Sequence, residues 1–443
     1  MAGEWRETTL GQVTDFLSGG TPSKDNPDYW GGAIPWVSAK DMKRLRLDDT
    51  EDHVTQHGLA NGTKLVPAGT VLLLARGMTL LNDLPICIAN RPMTFNQDVK
   101  ALRPKPGIRD EFLPYLLLGN KDRLLSLVDL AGHGTGRLNT DELKALDVVL
   151  PTEPEQRAIA HILGMLDDKI ELNRRMNETL EGIARALFKS WFVDFDPVRA
   201  KAEGCDPGLP KPIADLFPDS FEESELGEIP KGWDVCALYA CADYINGSAF
   251  RNDDFSQDKV GLPVIKIGEL KDGITSQTKF TKAILEPKYR ITSGNILFSW
   301  SGSPDTSIDT FVWTGGEGWL NQHIFKMQFH RPEEKFFVHF LLRHLKPVFI
   351  EIARNKQTTG LGHVTAQDLK RLKTVFPPDD ILRAFNRLAE PLFQKTFRNS
   401  CESRTLATLR DTLLPKLISG QLRVRKGQED HSRVYTVRQG VER

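Results

Sequence analysis

A heptad seam that occurs twice constrains this chain more than any other feature. From Ile159, alternating steps of four and three residues land on Ile159, Leu163, Leu166, Ile170, Asn173, Asn177, Leu180, Ala184, Leu187 and Trp191. A stripe kept in this rhythm needs a partner helix along its length. No proline falls between Gln156 and Asp196, and such a helix spans roughly 60 Å, too long for one compact domain to wrap. The partner lies in the same chain. Adding 226 to each position gives Phe385, Ala389, Leu392, Thr396, Asn399, Ser403, Leu406, Arg410, Leu413 and Leu417. Both seams are apolar toward their ends and polar in the middle, and Asn173 falls on Asn399. Seam asparagines cost stability but fix register, so antiparallel pairing sets like centre against like centre. Pro391 and Pro415 fall inside the second copy and are places where it can kink.

The same offset extends in front of each helix. Trp5 and Leu10 return as Trp233 and Leu238, and Ile34-Pro-Trp-Val-Ser-Ala-Lys-Asp-Met42 lines up with Leu262-Pro-Val-Ile-Lys-Ile-Gly-Glu-Leu270. Val66 to Gly77 matches Ile291 to Gly302, a strand pattern entered through a glycine turn. Asn96-Gln97 matches Asn321-Gln322, and Leu143-Lys144 with Pro151 matches Leu369-Lys370 with Pro377. An ordered set of matches at a near-constant offset marks an internal repeat. Each globular half mixes short strand runs (Thr70 to Leu74, Asp147 to Leu150; Val264 to Ile267, Asn295 to Phe298, Leu372 to Phe376) with helical stretches (Glu111 to Leu127, Lys335 to Ile352). The fold class expected is α+β: two similar globules separated by two long antiparallel coiled-coil helices, with an internal pseudo-two-fold repeat. The boundaries follow as residues 1–152, a helix over 153–196, a proline-rich extended linker over 197–230 that returns the chain along the helix, a second globule over 231–378, a helix over 379–421, and a polar, frayed tail over 422–443.

Composition bounds the chemistry. The five cysteines form no C-x-x-C pair and no histidines cluster with them, which predicts neither a metal site nor a disulfide framework and points to a reducing, cytoplasmic compartment. No apolar run reaches membrane-spanning length. A net charge of −1 excludes binding through a global basic field, so any nucleic-acid contact needs locally placed cations.

Several segments resemble the specificity subunits of type I restriction-modification enzymes, and the resemblance covers nearly the whole chain. They are Gly19-Gly-Thr-Pro-Ser-Lys24 running on to Asn26-Pro-Asp-Tyr-Trp-Gly-Gly32, Ile34-Pro-Trp-Val-Ser38, Leu150-Pro-Thr-Glu-Pro-Glu-Gln-Arg157, Leu187-Phe-Lys-Ser-Trp-Phe-Val-Asp-Phe-Asp-Pro197, and Leu216-Phe-Pro-Asp-Ser-Phe221 through to Leu226-Gly-Glu-Ile-Pro-Lys-Gly-Trp233. The resemblance implies two target-recognition domains, each reading half of a split site in double-stranded DNA, with spacer helices that also dock two methyltransferase (M) subunits, and restriction/translocase (R) subunits beyond them. N6-adenine methylation with S-adenosylmethionine, and ATP- and Mg-dependent cleavage, would then reside in those partners, with no cofactor in this chain. Pro377-Pro-Asp-Asp-Ile381 lacks the Glu155-Gln156 pair that opens the first helix.

Base readout uses Arg, Lys, Asn, Gln or hydroxyl side chains, and phosphate contact uses cations or free backbone N–H groups. In the first half Lys40, Lys43, Arg44 and Arg46 either contact phosphate or form a solvated face with the interleaved Asp41, Asp48 and Asp49. Arg76-Gly77, at the end of a buried run, puts a cation beside a glycine where a backbone can approach. The loop Gly132-His-Gly-Thr-Gly-Arg-Leu-Asn139, with Gly134, Thr135 and Arg137, recurs as Gln357-Thr-Thr-Gly-Leu-Gly-His-Val-Thr365; such loops present N–H groups to phosphate or serve only as turns. Lys266, Ser299, Ser301, Lys356, Gln357, Thr358, Thr359 and His363 complete the set in the second half.

Asn26-Pro-Asp-Tyr29 lacks the central proline of an amino-methyltransferase loop, no acid-x-Lys pair follows Pro378-Asp-Asp380, and no Gly-x-x-x-x-Gly-Lys loop exists for ATP. The expectation is a chain without its own catalytic or metal site. A stand-alone methyltransferase or nuclease, and a coiled-coil scaffold without DNA specificity, are the competing classes. Trp191, Phe192 and Phe195 read as helix packing or subunit docking.

Overall fold

The computed structural model describes residues 5–131, 134–357, 361–426 and 435–439. The chain forms two compact units, one of Met1–Lys169 with Thr405–Arg443 and one of Ile170–Arg404. Both long helices, Glu153–Phe192 and Asp379–Ile418, continue from one unit into the other, so each unit contains a piece of each.

In the first unit a five-stranded sheet runs in the spatial order Thr14–Ser18, Val99–Pro104, Val71–Leu74, Ile86–Ala89, Arg46–Leu47. Val71–Leu74 is buried at every position, which is why it reads as an unbroken apolar run rather than an alternation. A second sheet orders Asp52–Val54, Trp30–Val37, Met93–Phe95 and Leu65–Val66. The second unit repeats this plan. One sheet orders Asp243–Asn246, Ile324–Gln328, Ile296–Ser299 and Asp309–Val312, and another Phe280–Thr281, Leu262–Ile265, Gly318–Leu320 and Arg290–Ile291. Registers repeat too: Trp36 faces Thr94 and Val264 faces Trp319, each across a parallel pair. Arg6–Thr9 pairs with Asp147–Leu150, and Asp234–Ala237 with Lys373–Phe376, just before each long helix.

The long helices pair antiparallel. In the second unit the Asn173 amide donates to Glu402 Oε2 at 2.9 Å, while one turn later Asn177 Oδ1 accepts from Asn399 Nδ2 at 2.9 Å, so the partner position recedes as the first helix advances. Leu163, Asn173 and Asn399 are buried, and Leu166, Ile170, Leu180, Leu187, Leu392, Leu406 and Leu413 are half-buried, whereas the off-seam Leu172 and Ile183 are about half exposed. In the first unit the half-buried seam residue Arg410 meets a buried carboxylate: its Nη1 lies 2.8 Å from Asp167, which also accepts from the Tyr115 hydroxyl at 2.9 Å, while its Nη2 lies 2.8 Å from Asp411.

Several expectations are corrected. Glu111 to Leu127 is two helices, Leu113–Gly119 and Lys121–Leu125, broken where Gly119 lies against Ile418. Lys335 to Ile352 is likewise split into Glu334–His344 and Lys346–Asn355, with Pro347 at the start of the second, where a missing N–H costs nothing. Ile267 starts a helix, Ile267–Asp272, rather than ending a strand. The segment 197–230 is folded, not an extended connector. It contains the helix Asp196–Ala202 with Pro197 in its first turn, the short helix Lys211–Ala214, and a hairpin of Phe221–Ser224 with Gly227–Pro230. Proline content suggested extension, but Val198 and Phe217 are buried with Trp191, Phe195 and Trp233 in the second unit's core. The tail is not frayed throughout: Leu422–Lys426 pairs with Tyr435–Gln439, and Arg423 reaches Glu155 at 2.8 Å over the Trp5 ring. The second long helix runs through Pro391 and Pro415, both on its exposed side.

Candidate nucleic-acid interface

In the first unit two candidates far apart in sequence become neighbours. Arg76–Gly77 follows the buried strand Val71–Leu74 and pairs antiparallel with Thr135–Leu138, placing Gly77 opposite Gly136 and Arg76 opposite Arg137. Val128–Ala131 completes a three-stranded sheet on the other side. A side chain at Gly136 would come within 2.9 Å of Leu80 Cβ and 3.2 Å of the Gly77 carbonyl oxygen, so glycine lets the strands close. Gly134 has φ +72°, a left-handed value that favours glycine. Arg76 and Arg137 are both exposed. Among the described residues the Arg76 side chain has no hydrogen-bond or ion-pair partner, and Arg137 has only Asp129, at 3.9 Å. Like charges directly opposite each other destabilise a ladder; an anion between them, or a guanine edge taking one guanidinium, removes that cost.

The second unit builds the same ladder with different chemistry. Ser301–Gly302 pairs with Gly362–His363, Gly302 opposite Gly362 and Ser301 opposite His363. A Cβ at Gly362 would sit 2.2 Å from the Ala353 carbonyl oxygen, so the strand lies directly on the helix Lys346–Asn355. Ser301 and His363 are half-buried. The other candidates in this unit divide. Ser299 is completely buried in a central strand, with its hydroxyl unpartnered among the described residues, and cannot reach a groove. Lys356 is spent inside the unit, donating to both oxygens of Asp368 at 2.5 and 2.6 Å. Burial opposes the Asp368 charge, but hydrogen bonds from Lys356 and Thr365 outweigh it and hold the carboxyl below its ordinary range. Lys266 is exposed and lies 4.9 Å above the Phe255 ring. Gln357 is exposed, and Thr358 and Thr359 lie outside the described residues, as do Gly132 and His133.

The Lys40 to Arg46 run is partly a solvated, self-paired face. Lys40 bridges Glu51 at 3.1 Å and Asp52 at 2.9 Å, and Arg46 pairs with Asp168 of the long helix. Lys43 and Arg44 are exposed. Asn26 serves as a cap, its side chain accepting from the Asp28 N–H at 3.1 Å. Trp191, Phe192 and Phe195 are buried packing residues. Arg185, Lys189, Arg343, Lys346 and Arg354 line one hollow of the second unit with Asp305; Arg354 pairs with Asp305 inside it, and Arg343 and Lys346 pair with Glu181 and Asp309. The sequence signal for it is the set of cations Arg343, Lys346 and Arg354.

A family model described as the type I restriction modification DNA specificity domain matches residues 2–182 and, separately, 230–389. The chain belongs to that family. The two matches coincide with the two halves of the repeat, one copy of the ladder in each. The chain is 30% identical over 437 residues to the type I restriction enzyme MjaIX specificity subunit of Methanocaldococcus jannaschii, covering 95% of this chain and 94% of that protein. It is 28% identical to the HindI specificity subunit of Haemophilus influenzae, over 95% of this chain and 100% of the other. The crystal structure of a type I S subunit from M. genitalium aligns over 94% of this chain and 96% of that one, with a TM-score of 0.54 at 15% identity, a likeness of fold. Membership makes this chain a DNA specificity subunit of type I restriction-modification. No helix among the described residues is long and apolar enough to cross a membrane.

Proposed function

We propose that the chain reads a bipartite site in double-stranded DNA, one half with each unit, and that it docks two methyltransferase subunits, with restriction/translocase subunits joining through them. The observation that carries this reading is the duplicated ladder: one backbone register, Gly77 opposite Gly136 and Gly302 opposite Gly362, presenting Arg76 and Arg137 in one unit and Ser301 and His363 in the other. One frame with two sets of side chains suits two half-sites of different sequence. Arg76 and Arg137 have the geometry for guanine O6 and N7 or for phosphate, while Ser301 and His363 offer short hydrogen-bonding groups. The chain itself supplies position, not chemistry; S-adenosylmethionine, ATP and Mg act in the partners. The two long helices, Glu153–Phe192 and Asp379–Ile418, are the spacer helices of this reading.

Mapping methylated adenines in cells that express the chain with its methyltransferase partner tests this. The expected result is two short specified elements around a fixed unspecified spacer. A single uninterrupted motif, or turnover of labelled S-adenosylmethionine by the purified chain alone, would contradict it.

A further inference from the structure

The second unit holds a sulfur pair that DNA reading does not use. Cys236 lies on the strand Asp234–Ala237, and Cys241 ends the 3₁₀ turn Leu238–Cys241 that follows. The turn folds back so that the two Sγ atoms stand 3.6 Å apart. Cys236 is half-buried, and Cys241 is buried behind it. The corner does not require sulfur in order to fold. Its counterpart in the first unit, Arg6–Thr9 followed by Leu10–Val13, carries Thr8 and Val13 in the equivalent places, and the Thr8 hydroxyl donates to Gln12 at 2.7 Å instead.

We infer that Cys236 and Cys241 form a dithiol oxidation site, closed to a disulfide by hydrogen peroxide and reopened by thiols. A disulfide needs the sulfurs about 2.05 Å apart, so they must approach by roughly 1.5 Å, within reach of side-chain rotation at the half-buried Cys236. The hydrogen bond from Cys241 favours thiolate at Cys236 and lowers its pKa despite burial, and the thiolate is the nucleophile. Its sulfur attacks the peroxide O–O bond, forming a sulfenic acid and releasing hydroxide. The Cys241 sulfur then attacks that sulfenyl sulfur and expels its hydroxyl, which leaves as water with the Cys241 proton. Two thiols and one peroxide become one disulfide and two waters. Among the described residues the strand so tethered pairs only with Lys373–Phe376, in a two-stranded sheet leading into the second long helix, so the link pins an edge otherwise held by one ladder.

Both cysteines fall on a single tryptic peptide, Gly232–Arg251, which makes the test direct. The full-length chain is treated with hydrogen peroxide, alkylated in denaturant and digested. The expected result is that this peptide becomes unalkylatable and two hydrogens lighter, and that dithiothreitol restores both alkylation sites. In C241S, Cys236 should instead stop as a sulfenic acid trapped by dimedone; in C236S, the mass loss should vanish. A peptide that stays doubly alkylated, or Cys236 oxidised to sulfinic acid in the unmutated chain without a link, would overturn the inference.

Discussion

The two recognition units share a backbone and differ in charge. At the paired glycine ladder the first unit places arginine opposite arginine, the second serine opposite histidine. The same division recurs in the long-helix seam. The buried Asp167 and the half-buried Arg410 form an ion pair in the first unit, while the positions offset by 226, Phe393 and Ala184, are buried and apolar in the second. A duplicated frame therefore tolerates opposite solutions at equivalent sites, provided that glycines and packing hold the register.

The largest effect is expected at the seam. Arg410→Ala leaves the buried Asp167 carboxylate with the Tyr115 hydroxyl but without its cation and should cost the first unit about 3–5 kcal/mol, read as a lower denaturant midpoint. The double change Asp167→Phe with Arg410→Ala, which copies the second unit at these two positions, should recover much of that loss, short of the cost of the buried Tyr115 hydroxyl left without its acceptor. If the double variant is as damaged as the single one, the equivalence of the two seams is broken. Next is Gly362→Ala, whose Cβ meets a backbone oxygen at 2.2 Å; about 1–3 kcal/mol is expected from overpacking. Gly134→Ala meets nothing within 4 Å and should cost only about 1 kcal/mol through its φ of +72°.

At the ladders, Arg76→Ala and Arg137→Ala should each weaken DNA binding by about 1–3 kcal/mol if the side chain reads a base. If it contacts phosphate instead, each should reduce the slope of log affinity against log salt by about 0.9. Ser301→Ala should leave that slope unchanged. The smallest effect is acid sensitivity. Hydrogen bonds from Arg174, and then from Arg175, outweigh burial and lower the Glu171 pKa to about 2. A depressed carboxylate stabilises the fold above its unfolded pKa and loses that contribution as pH falls through the folded value. Glu171→Gln should therefore lower stability near neutrality and flatten its fall between about pH 4.5 and pH 2, measured by helix signal.

Much of this architecture was legible in the residues, because periodicity and repetition act over long stretches. The seam from Ile159 to Trp191, its copy and the strand Asp147–Leu150 follow from spacing alone. What spacing cannot give is which side chains are already occupied. Lys40 and Lys356 looked available as free cations, yet carboxylates distant or near in sequence take them: Glu51 and Asp52, and Asp368. Ser299 has a hydroxyl of the kind that reads a groove, but its strand is central to its sheet and the residue is buried. The facing of Arg76 and Arg137 depends on a pairing register between separated segments, which no local pattern encodes. In the linker, proline content alone points to extension, whereas aromatic residues beside the prolines, Phe195 and Phe217, supply burial.

The central claim is that each ladder reads its own half of the site. Adenine-methylation mapping of the Arg76→Ala, Arg137→Ala double variant, expressed with its methyltransferase partner, tests it most directly. One specified element should relax while the other element and the spacer stay as in the parent. Equal loss at both elements, or an unchanged motif, would contradict it.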